Sequence, residues 1–308
     1  MASKSKRIKL PSALPGQLRD ENEVVNRIAD VTSQDESSIR TRLRREFEKP
    51  GTNLAQAFTE TGLEPYVWSN GLVRFYEQTD AFMYELVIWN RNRIKRRMRR
   101  WVAKYLAKHE PHSFNILSIG DGLGFDSLYL AQAGHKVTYY EVPGYTQSFA
   151  CRLFADADAE ITVVSDLAQI PAEAFDAILC LDVLEHVPDV PAFVSQLTGY
   201  LRPGGFFIVH APFYMIHPAN PTHLKANRRY SGSLRPYRRC DLRLIDGELG
   251  WNPLVLEKTS NSANPRPNSA ARILALRLTG LYLSLGRFSI LPFCWVDSYR
   301  RKHNEWFD

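Results

Sequence analysis

Cysteine is scarce and scattered. The 308 residues hold four, Cys151, Cys180, Cys240 and Cys294, with no CxxC pair and no Cys/His spacing suited to a zinc site. A disulfide framework is therefore not expected, and a reducing cytoplasm is the compartment that fits. Long apolar runs are missing too: the most apolar late stretch, ARILALRLTGLYLSLGRFSILPFCWV, is broken by Arg272, Arg277 and Arg287. It never reaches about 18 uninterrupted apolar residues, so no membrane span is expected. The basic opening MASKSKRIKL runs into PSALPGQLRDENE without an apolar core and does not read as a secretory signal. Neither sign of charge dominates. A formal charge of +6 permits an anionic partner without demanding one.

What is present is ordinary globular composition: 44% hydrophobic and 23% charged residues argue against global disorder. The length suits one large domain with an addition, and the pattern divides accordingly. Residues 1–110 read as a helical region. In SQDESSIRTRLRREFEK, Ser33 is the expected N-cap with Glu36 three positions on, and Pro50-Gly51 ends that helix. From Thr79 to His109 the apolar positions Phe82, Leu86, Trp89, Ile94, Trp101, Val102 and Leu106 predict one long helix. Residues 111–308 alternate short apolar strands (NILSI, KVTYY, ITVV, FDAILCL, GGFFIVH) with helix-length connections. Such connections imply parallel pairing. The expected fold is α/β, a doubly wound Rossmann-like, mostly parallel sheet of about seven strands.

In NILSIGDGLGFDSLYLA, three alternate glycines, Gly120, Gly122 and Gly124, follow the first strand, where open parallel sheets bring backbone close to a ligand. A GxGxxG dinucleotide fingerprint would need glycine at position 125 or 127, which are Phe and Ser, and no GxxxxGK[ST] phosphate loop is present. The remaining pattern, an apolar strand followed by GxGxG, resembles the class I S-adenosylmethionine-dependent methyltransferases. Further segments carry the resemblance in order: Glu141 closing KVTYYE, Asp166 in ITVVSDLAQIP, then FDAILCLDVLEHVPD and LRPGGFFIVHAPF. Together they cover roughly residues 110–260 and are closest to the branch bearing VLEHV, which includes many methyltransferases of small metabolites. Asp121 and Leu123 depart from the small residues usual in that turn, and EVPGY from the common VDxS.

The resemblance implies S-adenosylmethionine as cofactor, held by Gly120, Asp121, Gly122, Gly124, Glu141 with Val142, Asp166 with Leu167, and Leu181 with Asp182. Glu141 would accept from both ribose hydroxyls and Asp166 would meet the adenine, although an Asp at a strand end is also a common helix cap. If a helix begins near Leu181, then Asp182, Glu185 and His186 share one face. His186 is then a candidate general base with its basicity raised by a carboxylate neighbour. The Glu185-His186 pair could equally brace the loop under the cofactor, and a divalent metal on Asp182, Glu185 and His186 is a third reading. Leaving metal out, the expected catalytic set is His186, Glu185 and His210, the last at the end of the fifth strand.

Substrate contacts are expected from Tyr76 and Tyr84, in an aromatic stripe with Phe82 and Trp89 that could instead be core, and from Tyr214 and His217. These two lie in the proline-rich loop HAPFYMIHPANPTHLKANRRYSG, where His217 and His223 also read as ordinary surface or packing histidines. RNRIKRRMRRW packs basic residues into positions 91–100, a solvated helix face or a site for an anionic partner. The expected function is methylation of O, N or C of a small metabolite. An RNA methyltransferase using the basic helix, or a non-catalytic cofactor-binding or scaffold protein, are the alternatives. Oligomeric state stays open, with a homodimer among the options.

Overall fold

The computed structural model describes residues 10–109, 113–157, 159–259 and 269–288. Cys294 lies outside them. Helices α1 (Glu21–Thr32), α2 (Glu36–Glu48), α3 (Thr52–Glu60), α4 (Asn70–Gln78), α5 (Ala81–Arg91) and α6 (Arg93–Leu106) form the front of the chain. Two local expectations are corrected. The helix at α2 is capped by Asp35, which accepts from the Ser38 N–H at 2.9 Å; Ser33 instead ends α1 in a left-handed turn at φ +58°. The stretch from Thr79 to His109 is two helices, because Asn92 turns extended at φ −61°, ψ 140° and its side chain accepts from the Ile94 N–H. An Asn side chain competes with the helical ladder in this way and favours a cap.

The second part begins with β1 (Asn115–Ile119), α7 (Phe125–Gln132), β2 (Lys136–Tyr140), α8 (Tyr145–Asp156) and β3 (Ile161–Val164). There follow β4 (Phe175–Leu181), α9 (Val190–Tyr200), β5 (Leu201–His210), α10 (Arg235–Arg238), β6 (Leu242–Gly247), β7 (Leu254–Lys258) and α11 (Ala270–Ser284). The seven strands make one mostly parallel sheet, as the strand pattern led us to expect, and run in the order β3-β2-β1-β4-β5-β7-β6. β1 to β5 pair in parallel, and β7 pairs antiparallel with both β5 and β6.

Both faces of the sheet are covered, which explains why β4 is apolar and buried along all of FDAILCL. One face packs Leu117, Ile178, Phe207 and Leu256 against Val194 and Leu197 of α9 and Leu276 of α11. The other packs Ile116, Leu179, Phe206 and Val255 against Met98 and Val102 of α6. Val25 and Leu43 of the front helices share a third cluster with Leu128 of α7 and Phe149 of α8. The front helices thus share core with elements on the far side of the expected boundary. No helix among the described residues is long and apolar enough to cross a membrane.

The chain runs outward from β1 to β3 and then returns to place β4 beside β1. At such a reversal the loops after two neighbouring strands part and leave a crevice at their carboxyl ends. Residues 120–124 follow β1 there, and residues 182–187 follow β4.

Candidate active site

The glycine turn is bare because other parts of the chain close on it. Gly120 and Gly122 have φ of +66° and +60°, a left-handed backbone that glycine adopts without steric cost. A Cβ on Gly120 would stand 2.5 Å from Val183 Cγ2, and one on Gly122 would stand 2.5 Å from Leu86 Cδ1 of α5. Tyr139 Oη donates to the Gly122 carbonyl at 2.6 Å. Glu141, just past β2, accepts from the Gly122 N–H at 2.6 Å and from the Val142 N–H at 3.0 Å. Burial nonetheless pushes its carboxyl up to about 7. Gly120, Gly122, Glu141 and Val142 face a cavity of about 490 Å³, within the range of small-molecule sites.

The same cavity is also lined by Asp182, Glu185, His186 and His210. Asp182 is a non-glycine residue at φ +61°, a conformation held only when the surroundings fix it. Its carboxylate accepts from His210 Nδ1 at 2.6 Å and Trp89 Nε1 at 2.9 Å, with Lys95 Nζ at 3.4 Å. Burial alone would raise the carboxyl, but His210 and Lys95 hold it well below the usual carboxylate range. A carboxylate only accepts, so the His210 ring carries a proton on Nδ1, facing Asp182.

The expected shared helix face is corrected here. Only Leu184–His186 forms a single 3-10 turn, and the left-handed Asp182 points toward α5, α6 and β5 instead of along a helix. Glu185 is buried, and its Oε2 has no hydrogen-bond partner; burial, then the charge of Asp182, pushes its carboxyl well up. His186 Nδ1 lies 2.8 Å from Tyr76 Oη and 3.2 Å from the Thr222 carbonyl oxygen, and burial pushes the imidazole down to about 4. The carboxylate expected behind His186 therefore stands behind His210, and His186 is a weak base.

Tyr76 of α4 and Tyr214 of the loop after β5 also line the cavity, as do Phe82 and Trp89 of α5. Tyr76 stacks on Phe82 with ring centres 4.9 Å apart. Several expected site residues stand elsewhere. Tyr84 is fully buried among front helices, with its hydroxyl on Gln34 and its ring under the Arg42 guanidinium. Asp121 caps α7 by accepting from the Ser127 N–H at 2.7 Å, and burial pushes it up to about 6. Gly124 packs toward Phe154 and Ala150 of α8. Asp166 is exposed and caps the following turn through the Ala168 N–H, while Leu167 and Leu181 are core. His217 is exposed and accepts from the Ala219 N–H.

Two contributors escaped the sequence reading. His223, taken as an ordinary histidine, is buried on the cavity wall with its ring 4.6 Å from that of His186. It lies 37 positions beyond His186, and no local spacing joins them. Lys95 belongs to the basic run, which is not simply a solvated face. Arg91, Lys95 and Arg99, four residues apart, form its buried stripe; Lys95 and Arg99 hold Asp126 at 2.8 and 2.6 Å, and Arg91 and Arg99 donate to the Leu18 and Ala13 carbonyls. Arg93, Arg97 and Arg100 are exposed.

Comparison with known proteins was consistent with this geometry. A ubiquinone biosynthesis O-methyltransferase of Paramagnetospirillum magneticum is 35% identical over 121 residues, 36% of this chain and 47% of that protein. The same enzyme of Xanthomonas axonopodis pv. citri is 35% identical over 104 residues, 32% of this chain and 43% of that protein. The chain thus spans about half the length of the curated relatives it matches. The crystal structure of the N-methyltransferase NodS from Bradyrhizobium japonicum aligns at 18% identity over 54% of this chain and 86% of that one, with a TM-score of 0.40. A family profile described as a methyltransferase domain matches residues 89–252, more than half of the sequence and all of the crevice between β1 and β4, and the chain belongs to that family.

Proposed function

We propose that the protein transfers methyl from S-adenosylmethionine to an oxygen of a small, largely apolar metabolite. The observation that carries this reading is the single cavity of about 490 Å³ lined both by the glycine turn and Glu141 and by Asp182 and His210. The residues present fit the cofactor. A desolvated carboxylate, Glu141, faces the cavity beside a turn of glycines, and an acceptor-only group there suits the two donor hydroxyls of a ribose. Phe82, Leu86, Trp89, Val142, Phe193 and Met215 on the walls suit an apolar acceptor. The O-methyltransferase relatives support oxygen as the receiving atom.

When bound, the sulfonium supplies an electrophilic methyl group, and its loss leaves a neutral thioether carrying the electron pair of the broken S–C bond. The chain aligns the acceptor oxygen, excludes water and takes the proton. Tyr76, Phe82 and Trp89 form part of the cavity wall. His210 Nε2 receives the hydroxyl proton as the O–C bond forms, with Asp182 fixing the opposite nitrogen as the donor. His186, buried and weakly basic, is the poorer acceptor. Calorimetric titration with S-adenosylmethionine and S-adenosylhomocysteine tests the cofactor site, and labelled methyl transfer into a cell extract tests turnover. Absence of binding at millimolar cofactor overturns the reading.

A further inference from the structure

A buried carboxyl and two imidazoles converge on the cavity wall. Glu185 is 2% exposed, and its Oε2 has no hydrogen-bond partner, a state that buried polar atoms rarely tolerate. His186 Nδ1 lies 3.2 Å from the Thr222 carbonyl oxygen, and His223 Nδ1 lies 2.7 Å from the Met215 carbonyl oxygen. A carbonyl oxygen only accepts, so the His223 ring carries its proton on Nδ1 and presents a bare Nε2, while His186 Nδ1 faces both the Thr222 carbonyl and, at 2.8 Å, the Tyr76 hydroxyl, which can meet either tautomer. Backbone carbonyls behind imidazoles are also what orients histidines that ligate metals. One ligand atom from each of Glu185, His186 and His223 lies within 4.8 Å of the other two.

We propose that Glu185, His186 and His223 bind one divalent transition-metal ion of zinc-like ligand preference, with a coordination position left open toward the cavity. Two imidazoles and one carboxylate form a donor set that zinc accepts in sites with a free position for an oxygen ligand. The ion meets the unpartnered Glu185 oxygen. The neighbouring carboxylate of Asp182 favours positive charge at this place. This set differs from the sequence-based trio by one member: His223 takes the place of Asp182, which is committed to His210, Trp89 and Lys95. The inference rests on the methyl-transfer reading only for the use made of the open position, which would hold the acceptor's oxygen near His210.

The test uses the full, tag-free chain stripped with chelator and titrated with zinc alone and with cobalt(II) alone. Calorimetry should give one ion per chain, and the cobalt form should show visible absorption of a low-coordinate nitrogen and oxygen site. His223→Ala and Glu185→Gln should each weaken zinc by about 100-fold or more, the scale expected when a ligand or its support is lost. S-adenosylhomocysteine binding should stay within about twofold in His223→Ala, which also reports that the variant is folded. Zinc should raise the thermal midpoint of the wild-type chain, since a ligand of the folded state stabilises it. Substoichiometric zinc, or unchanged zinc affinity in both variants, overturns the metal site. Stoichiometric zinc with no cofactor binding leaves the metal site standing and removes the methyl-transfer reading.

Discussion

Lys95 Nζ lies 2.8 Å from Asp126 Oδ2 with both side chains buried, and Arg99 Nε closes on the other oxygen of the same carboxylate at 2.6 Å. Desolvation would push Asp126 up, but the two cations hold it below the usual range. Lys95→Met leaves Asp126 with Arg99 alone and one of its oxygens without its cation, so it should destabilise the fold by about 1–3 kcal/mol. Urea unfolding at pH 7 measures this, and a loss below about 1 kcal/mol contradicts it. The pH sign is set by the lowered carboxyl. Asp126 contributes stability above the ordinary value of 3.8, and this is lost as the pH falls through that value and below.

Glu141 titrates the other way. Its folded carboxyl is raised to about 7 from an ordinary 4.5, so the empty fold gains from its proton at low pH and loses that gain as the pH climbs from about 4.5 to 7. A ribose donates hydrogen bonds and needs the ionised form. Cofactor affinity should therefore weaken as the pH drops below about 7, by at most about tenfold per unit. Calorimetric titrations at several pH values check the slope. Glu141→Gln should bind about 10- to 100-fold more weakly at pH 8, the scale of lost charge-assisted hydrogen bonds, and should show a flat profile. A wild-type profile that is already flat between pH 5.5 and 8 contradicts the assignment.

The sheet, its strand segments and the glycine turn were legible because their signals are local: strands buried on both faces read as continuous apolar runs. The helix break at Asn92 was less legible, since one capping side chain decides it within a pattern that stays periodic on both sides. Asp121 and Asp166 show the limit of position within a motif. Both carry carboxylates where the resemblance places cofactor contacts, and both spend them on backbone N–H groups of the next helical turn. Tyr84 and Tyr76 are eight residues apart in one aromatic stretch, yet one enters the core and the other the cavity, because the turn between α4 and α5 redirects the chain. The pairing of His186 with His223 depends on how the loop after β5 folds back, and that of Asp182 with His210 on the β4–β5 register that sets Leu181 beside His210; no local spacing encodes either.

Gly120 should not accept a side chain. Its φ of +66° disfavours any L residue, and the Cβ of an alanine would meet Val183 Cγ2 at 2.5 Å. Gly120→Ala should cost about 1–3 kcal/mol of stability and abolish cofactor binding at micromolar concentration. Adding Val183→Ala removes the collision but not the backbone strain, so the double variant should recover part of the stability in a urea melt. Recovery to the level of Val183→Ala alone would show that the left-handed turn is unimportant.

His210 and Asp182 act as one unit if the proton leaves as proposed. His210→Gln removes the accepting nitrogen and should lower kcat by about 10²- to 10⁴-fold, the usual contribution of a positioned base, while cofactor affinity stays within about threefold. Asp182→Asn keeps the shape but offers His210 Nδ1 an amide in place of a carboxylate, releasing control of the tautomer. Its kcat should fall by at least about tenfold, with pH dependence altered. Residues acting through one another do not add. The double variant should therefore lie within about tenfold of the His210→Gln single, measured as labelled methyl transferred at saturating cofactor. Full multiplication of the two effects would mean that Asp182 serves the reaction through Lys95 or Trp89 and not through the imidazole.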